Sequence, residues 1–130
     1  MRQGTTVLPA GTLLHHGTQG DFDCRDIEGP AWFSRSIAVA RHFAQRSGDE
    51  TPRILCYVTT AEIELPLIRG VREFDAFCEE HDIRPYSAED MADGVRRAGL
   101  AGWLIPDNYP DGDDILLVDL SDLSFHNEVN

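Results

Sequence analysis

Short apolar runs alternate along this chain with clusters of glycine, proline and acidic residues. Runs that are rich in β-branched and aromatic side chains and bounded by turn residues predict β-strands. The predicted strands are Thr12–His16, Ala31–Ser34, Arg53–Thr60, Ile63–Ile68, Gly102–Pro106 and Ile115–Leu120. We expect loops at Pro9–Gly11 and Gln19–Pro30, and an acidic loop after Pro106 that runs through Asp114.

Three other stretches place their apolar residues at helical spacing. Ser36 is a suitable N-cap for the first of them, and Ser87 with Asp90 three residues later resembles a capping box that opens the third. The predicted helices are Ile37–Arg46, Glu73–His81 and Ala88–Ala98. Strands and helices are grouped rather than strictly alternating, so the pattern predicts an α+β fold and not a parallel βαβ fold.

Composition narrows the possible partners. The 130 residues, 42% of them hydrophobic, suit one domain over residues 1–130. A formal charge of −12 repels phosphate backbones and anionic lipid, so neither nucleic acid nor a membrane surface is an expected partner. All 11 basic residues are arginine, which suits either anion recognition or a coding bias.

Cysteine usage and the absence of an apolar leader bear on the compartment. The 3 cysteines show no CxxC spacing, so the sequence predicts neither a disulfide framework nor a metal site, and it favours a reducing compartment. No run approaches the length of a membrane span or a secretory signal. We expect a cytoplasmic protein, or one delivered into a target cell by a route that needs no signal peptide.

Three separated motifs point to a family. They are "LHHGT" in the first predicted strand, "GPAWFSRSIAVARHFA" across the second strand and its helix, and "DDILLVDLSDL" near the end. In order and context they resemble the ADP-ribosyltransferase superfamily of the His-Tyr-Glu type, and most of all bacterial toxin-like members with a His-Tyr-Asp pattern. The resemblance covers Leu13 to about Phe125. It implies a split β-sheet core with a few flanking helices, NAD as co-substrate, and transfer of ADP-ribose to an acceptor.

By this resemblance His16 hydrogen-bonds a ribose hydroxyl of NAD, while its neighbour His15 faces the other side of the strand. Trp32 stands where the family has a tyrosine that stacks on nicotinamide, and a strand register shifted by one would bring Phe33 there instead. The Gly17 backbone is expected to hold the nicotinamide carboxamide. The full set of expected NAD-binding residues is His16, Gly17, Thr18, Trp32, Phe33, Ser34 and Arg35, with Arg25 as a second candidate for the diphosphate.

Asp114 stands where the family carries its catalytic glutamate, whose carboxylate stabilises the positive charge that develops on the ribose. Asp111, Asp113 and Asp119 are alternative acids in the same motif. Arginine-specific members carry a further acid two positions earlier, where this chain has Gly112, so arginine is not the expected acceptor. The resemblance thus assigns catalysis to His16, Trp32 and Asp114.

Other functions stay open at this stage. An acidic immunity or antitoxin-like binding protein, or an inactive NAD-binding member of the same fold, fits the charge as well. The RNA 2′-phosphotransferases share the fold but need a basic surface and an arginine where His15 stands. Serine-hydrolase and H-E-x-x-H motifs are absent. If the chain is an enzyme, a protein or small-molecule acceptor suits its charge better than nucleic acid, and a toxin would have an immunity protein as partner.

Overall fold

The computed structural model describes residues 4–19, 29–45, 52–110 and 112–129, and within them the chain forms eight strands and three helices. The strands are β1 (Gly4–Leu8), β2 (Leu13–Gln19), β3 (Ala31–Phe33), β4 (Pro52–Thr59), β5 (Ile63–Leu67), β6 (Gly102–Tyr109), β7 (Gly112–Leu117) and β8 (Leu123–Val129). The helices are α1 (Ile37–Gln45), α2 (Gly70–Glu80) and α3 (Ala88–Arg97). None of these helices is long and apolar enough to cross a membrane.

The strands divide into two sheets. One has five strands in the order β1-β5-β6-β7-β3, and the other has three in the order β2-β4-β8. All neighbouring strands are antiparallel except β5 and β6. The sheets meet where His15 of β2 faces Ser34 after β3, through backbone N–H···O bonds of 2.7 and 2.9 Å. His15 belongs to the motif "LHHGT" and Ser34 to the motif "GPAWFSRSIAVARHFA", so the junction joins these two motifs.

Side-chain alternation along β3 divides the core between the two faces of the five-stranded sheet. Phe33 and Ile115 face the three-stranded sheet and pack in one cluster with Tyr57. Trp32 and Trp103 lie in a second cluster on the other face, which α2 and α3 cover. The helices contribute buried Phe77, Cys78, Ala92 and Val95 to that second cluster.

The α+β organisation and every predicted helix and strand are confirmed in outline. The third helix has the expected cap, because the Ser87 hydroxyl accepts a hydrogen bond of 3.1 Å from the Asp90 N–H. The second helix begins at Gly70 and not at Glu73. The Glu73 carboxylate accepts a 3.2 Å hydrogen bond from the Arg69 N–H at the start of the helix. Glu73 therefore lies within the first turn of α2 and not before it.

The predicted acidic loop through Asp114 is wrong. Strand β6 continues to Tyr109 and β7 starts at Gly112, and these two residues pair across a tight turn. The last predicted strand therefore begins earlier than Ile115 and ends at Leu117. Asp107 lies in β6, and Asp113 and Asp114 lie in β7, so these acids belong to the strands of the hairpin.

Two strands were not predicted: β1 and β8, which lie at sheet edges. Strand β2 also continues past Gly17, because Gly17 and Thr18 pair with Ile54 and Arg53 of β4. Most of the predicted loop Gln19–Pro30 lies outside the described residues, as do Arg25, Cys24, Arg46 and Asp111.

Candidate functional site

A cavity of about 420 Å³ opens on the helix-covered face of the five-stranded sheet. Trp32 of β3 and Asp114 of β7 both line it. Aromatic and aliphatic side chains form most of its remaining wall, with polar groups from the end of β6. The further lining residues are Gly70, Val71, Phe74, Met91, Trp103, Ile105, Asp107 and Asn108. An apolar cavity with a few polar groups is the usual form of a small-molecule site.

The strand register decides which aromatic residue of the "AWF" motif reaches the cavity. Trp32 lies opposite Leu116 on the helix-covered face, and its ring centroid is 6.1 Å from that of Trp103. Phe33 lies on the other face, with 0% of its surface exposed, and its ring meets that of Tyr57 edge-on at 5.9 Å. Trp32 is therefore the aromatic residue of this motif that reaches the cavity, while Phe33 belongs to the core.

Asp114 combines burial with an incomplete set of hydrogen bonds. The residue is 6% exposed, and its Oδ2 accepts a 2.9 Å bond from the Asn108 side-chain amide. Its Oδ1 is buried with no hydrogen-bond partner among the described residues. Burial raises the pKa of Asp114 to about 6, the Asn108 hydrogen bond opposes this rise, and the nearby Asp113 charge adds to it. Carboxyl groups with raised pKa values in clefts are characteristic of functional sites.

The adjacent acid, Asp113, has a different environment. Its carboxylate accepts hydrogen bonds from the Ser34 hydroxyl at 2.8 Å, from the Arg35 backbone N–H at 2.9 Å and from Arg35 Nε at 2.5 Å. These bonds tie β7 to the segment between β3 and α1. Asp119 is exposed and accepts a bond from the Ser121 N–H. Of the described acids in the motif, Asp114 alone lines the large cavity.

His16 does not line this cavity. Its Nδ1 is 2.7 Å from the backbone carbonyl oxygen of Trp32, and its ring centroid is 5.4 Å from that of Phe33. Because a carbonyl oxygen only accepts, Nδ1 carries the proton and donates it. Burial lowers the pKa of His16, against the opposing effect of the Trp32 carbonyl bond. In the neutral ring Nε2 is then the hydrogen-bond acceptor.

His15 is buried at the junction between the two sheets. It is 7% exposed, and its Nδ1 lies 3.3 Å from the Ser34 carbonyl oxygen. Together with the backbone bonds of the same two residues, this contact holds the two sheets together at their junction.

Gly17 is required by packing. A Cβ at this position would overlap the Ala40 carbonyl oxygen and lie 2.8 Å from the Ala44 nitrogen, both backbone atoms of α1. The "HG" pair therefore lets β2 lie directly against α1. Thr18 continues the same strand and pairs with Arg53.

The two remaining candidates for NAD binding follow β3. Ser34 is fully buried, and its hydroxyl donates to Asp113 while accepting from the Ser36 N–H at 3.0 Å. The Arg35 side chain is half exposed and borders a separate open groove of about 360 Å³ with Pro106 and Gly112. The side chains of Ser34 and Arg35 are thus both engaged with Asp113.

The structure thus unites Trp32 and Asp114 at one cavity, whereas His16 contacts the Trp32 backbone and the Phe33 ring and does not line that cavity. Sequence reasoning missed the groups from β6 and the helices, above all Asn108 and Trp103. A hairpin assignment for "GWLIPDNYPDGDDILL" would have placed Asn108 near the two adjacent acids, but only the irregular register between Ile105 and Tyr109 shows that it meets Asp114.

Stability should depend on pH through Asp114. The folded state raises its pKa from 3.8 to about 6, so between these values the folded chain binds more protons than the unfolded chain. The free energy of unfolding should therefore fall as pH rises through this window, by about 2 to 3 kcal/mol in all. We expect Asp114→Asn to abolish this pH dependence. Relative to the wild type, the free energy of unfolding of the variant should therefore rise by about 2 to 3 kcal/mol between acidic and neutral pH. Urea unfolding of both proteins across this range measures it, and a constant difference would contradict the assignment.

Comparison with solved structures supports the fold. The chain is similar to a chain in the crystal structure of the M. tuberculosis MbcT–MbcA toxin–antitoxin complex, with a TM-score of 0.58 and 11% sequence identity. The alignment covers 95% of this chain and 85% of that chain. No protein-family model matches the sequence, and no curated protein matches it significantly. At such low identity the likeness establishes the fold alone, and with it the expected α+β class with a split sheet is confirmed.

Proposed function

We propose that this chain cleaves the bond between nicotinamide and ribose in NAD and transfers the ADP-ribose to an acceptor, or to water. The observation that carries the proposal is the buried Asp114 carboxyl group, with one oxygen unpartnered, in the same apolar cavity as the Trp32 indole. The order of the three sequence motifs and the two-sheet fold support it independently.

The chemistry follows from where charge develops. Breaking the glycosidic bond gives the ribose the character of an oxocarbenium ion, which a nearby carboxylate stabilises. Asp114 would supply that charge, and the surrounding apolar wall would strengthen its effect by excluding water. Trp32 would stack on the nicotinamide ring, and His16 Nε2 would accept a hydrogen bond from a ribose hydroxyl.

A toxin role is part of the same proposal. The similar chain comes from a toxin–antitoxin complex, which supports a toxin and a second protein that neutralises it. The net charge of −12 would favour a neutralising partner with a basic surface. It also favours a protein or a small molecule over nucleic acid as the acceptor.

Incubation of the purified chain with NAD tests the proposal. We expect nicotinamide to accumulate, and mass spectrometry of a treated lysate to show ADP-ribose attached to the acceptor. Free ADP-ribose in place of a modified acceptor would identify a hydrolase. If NAD stays intact both alone and with lysate, the enzymatic proposal fails and the binding-protein alternative gains support.

Stacking on Trp32 should be visible by fluorescence. The chain has 2 tryptophans, and Trp32 and Trp103 both line the cavity. We expect nicotinamide to quench the emission as it fills the cavity, and Trp32→Phe to lose most of that quenching because the stacking indole is gone. Equilibrium dialysis provides the independent measure of binding. Full binding with unchanged wild-type emission would exclude a stacking role for Trp32.

A further inference from the structure

Asn108 is held beside Asp114 by an irregularity in the β6–β7 ladder. Ile105 pairs with Asp114, and Tyr109 pairs with Gly112, but the register shifts between these two pairs. Asn108 lies within the irregular stretch, and its Nδ2–H donates to Asp114 Oδ2 at 2.9 Å. Ladder irregularities of this kind redirect side chains and occur often beside active sites.

The bond leaves the two oxygens of Asp114 in different states. Oδ2 is occupied by Asn108, whereas Oδ1 has no partner among the described residues. The amide therefore fixes the rotation of the carboxyl group and reserves one oxygen for another donor. A carboxylate held in this way needs little reorganisation when a ligand hydroxyl arrives.

The choice of an uncharged donor has an electrostatic consequence. A lysine or arginine at this position would offset the negative charge that a developing ribose cation requires, whereas an amide orients the carboxylate and leaves its charge intact. The nearby basic side chain, Arg35, is instead paired with Asp113.

We propose that Asn108 is a positioning residue for Asp114, whose carboxyl group it orients so that Oδ1 receives a ribose hydroxyl of NAD. This inference rests on the proposed function for the identity of the ligand. The link between Asn108 and the ionisation of Asp114 does not depend on any ligand.

Among the residues that the structure describes, few other charged groups lie near Asp114. Asp113 is adjacent to it, and Asp107 lies on the same cavity from β6. From α2 and α3 the cavity receives only uncharged residues: Gly70, Val71, Phe74 and Met91. A change in the titration of Asp114 after substitution of Asn108 can therefore be traced to the lost amide.

The test compares Asn108→Ala and Asn108→Asp with the wild type in the pH dependence of kcat/KM for NAD cleavage. The wild-type rate should rise as Asp114 ionises near pH 6. Loss of the amide donor should move this rise to higher pH by about one unit in Asn108→Ala. The shift should be larger in Asn108→Asp, which adds a like charge. Above the rise, the rates should stay below that of the wild type, because the ionised Asp114 carboxylate is no longer held in one orientation.

Asn127→Ala is the matched control, because Asn127 is an exposed asparagine on β8 of the other sheet. Its pH profile should match that of the wild type. A uniform loss of rate in the Asn108 variants, with no shift along the pH axis, would overturn the positioning role and leave only a structural one.

Carboxyl NMR titration of Asp114, assigned with Asp114→Asn, gives a readout that needs no activity. The Asp114 titration should shift upward in both Asn108 variants, and an unchanged midpoint would overturn the inference. If the wild type does not cleave NAD but the titration shifts, the proposed function fails while the Asn108–Asp114 link stands.

Discussion

Asp114→Asn is expected to slow the release of nicotinamide from NAD by a factor of about 10² to 10³, the usual effect of removing one electrostatic stabiliser of a transition state. The amide has nearly the same shape as the carboxyl group but carries no negative charge to offset the ribose cation. The effect should appear in kcat rather than in KM, because the charge is needed only as the bond breaks. Steady-state assays of nicotinamide release at neutral pH measure both constants.

Asp119→Asn is the matched control for this substitution, since it neutralises an exposed acid of the same motif. It should retain the wild-type rate. Unfolding cannot account for a loss in Asp114→Asn, because at neutral pH the variant no longer buries an ionised carboxylate and should be the more stable protein. Equal rates in wild type and Asp114→Asn would remove Asp114 from the mechanism.

Gly17→Ala should destabilise the fold by at least about 3 kcal/mol, at the upper end of the cost of overpacking. The added methyl group would overlap the Ala40 carbonyl and lie 2.8 Å from the Ala44 nitrogen, so α1 or β2 must move as a whole. The melting temperature should fall by about 10 °C. Differential scanning calorimetry measures this directly.

Gly4→Ala is the control for the glycine prediction. Nothing lies within 4 Å of a Cβ at Gly4, which is also in a strand. The loss of backbone freedom in the unfolded chain should leave this variant neutral or slightly more stable. Equal melting temperatures for the two variants would show that Gly17 does not touch α1 as described.

The elements recovered from the sequence are those whose signals are local. The strand before Ser36 and the helix after Ser87 carry their own patterning and capping residues, so neither depends on distant partners. The edge strands β1 and β8 were missed because their sequences are largely polar and exposed, and their pairing with β5 and β4 is made far along the chain. No local pattern records such pairing.

The candidate site shows the same division. Trp32 and Asp114 were predicted as site residues from a family resemblance, which left Asp113 as an alternative acid. The structure distinguishes the two acids, because Asp113 is bound by Ser34 and Arg35 whereas Asp114 lines a cavity. Asn108 could not be found without the β6–β7 register, because a shift of one residue changes which side chains meet.

A crystal structure of Asp114→Asn with NAD bound would test the central claim most directly, since the slow variant should hold the substrate intact. We expect the nicotinamide ring against Trp32 in the cavity, with a ribose hydroxyl at about 3 Å from the side chain at position 114. NAD bound away from this cavity, or none bound at saturating concentration, would contradict the account.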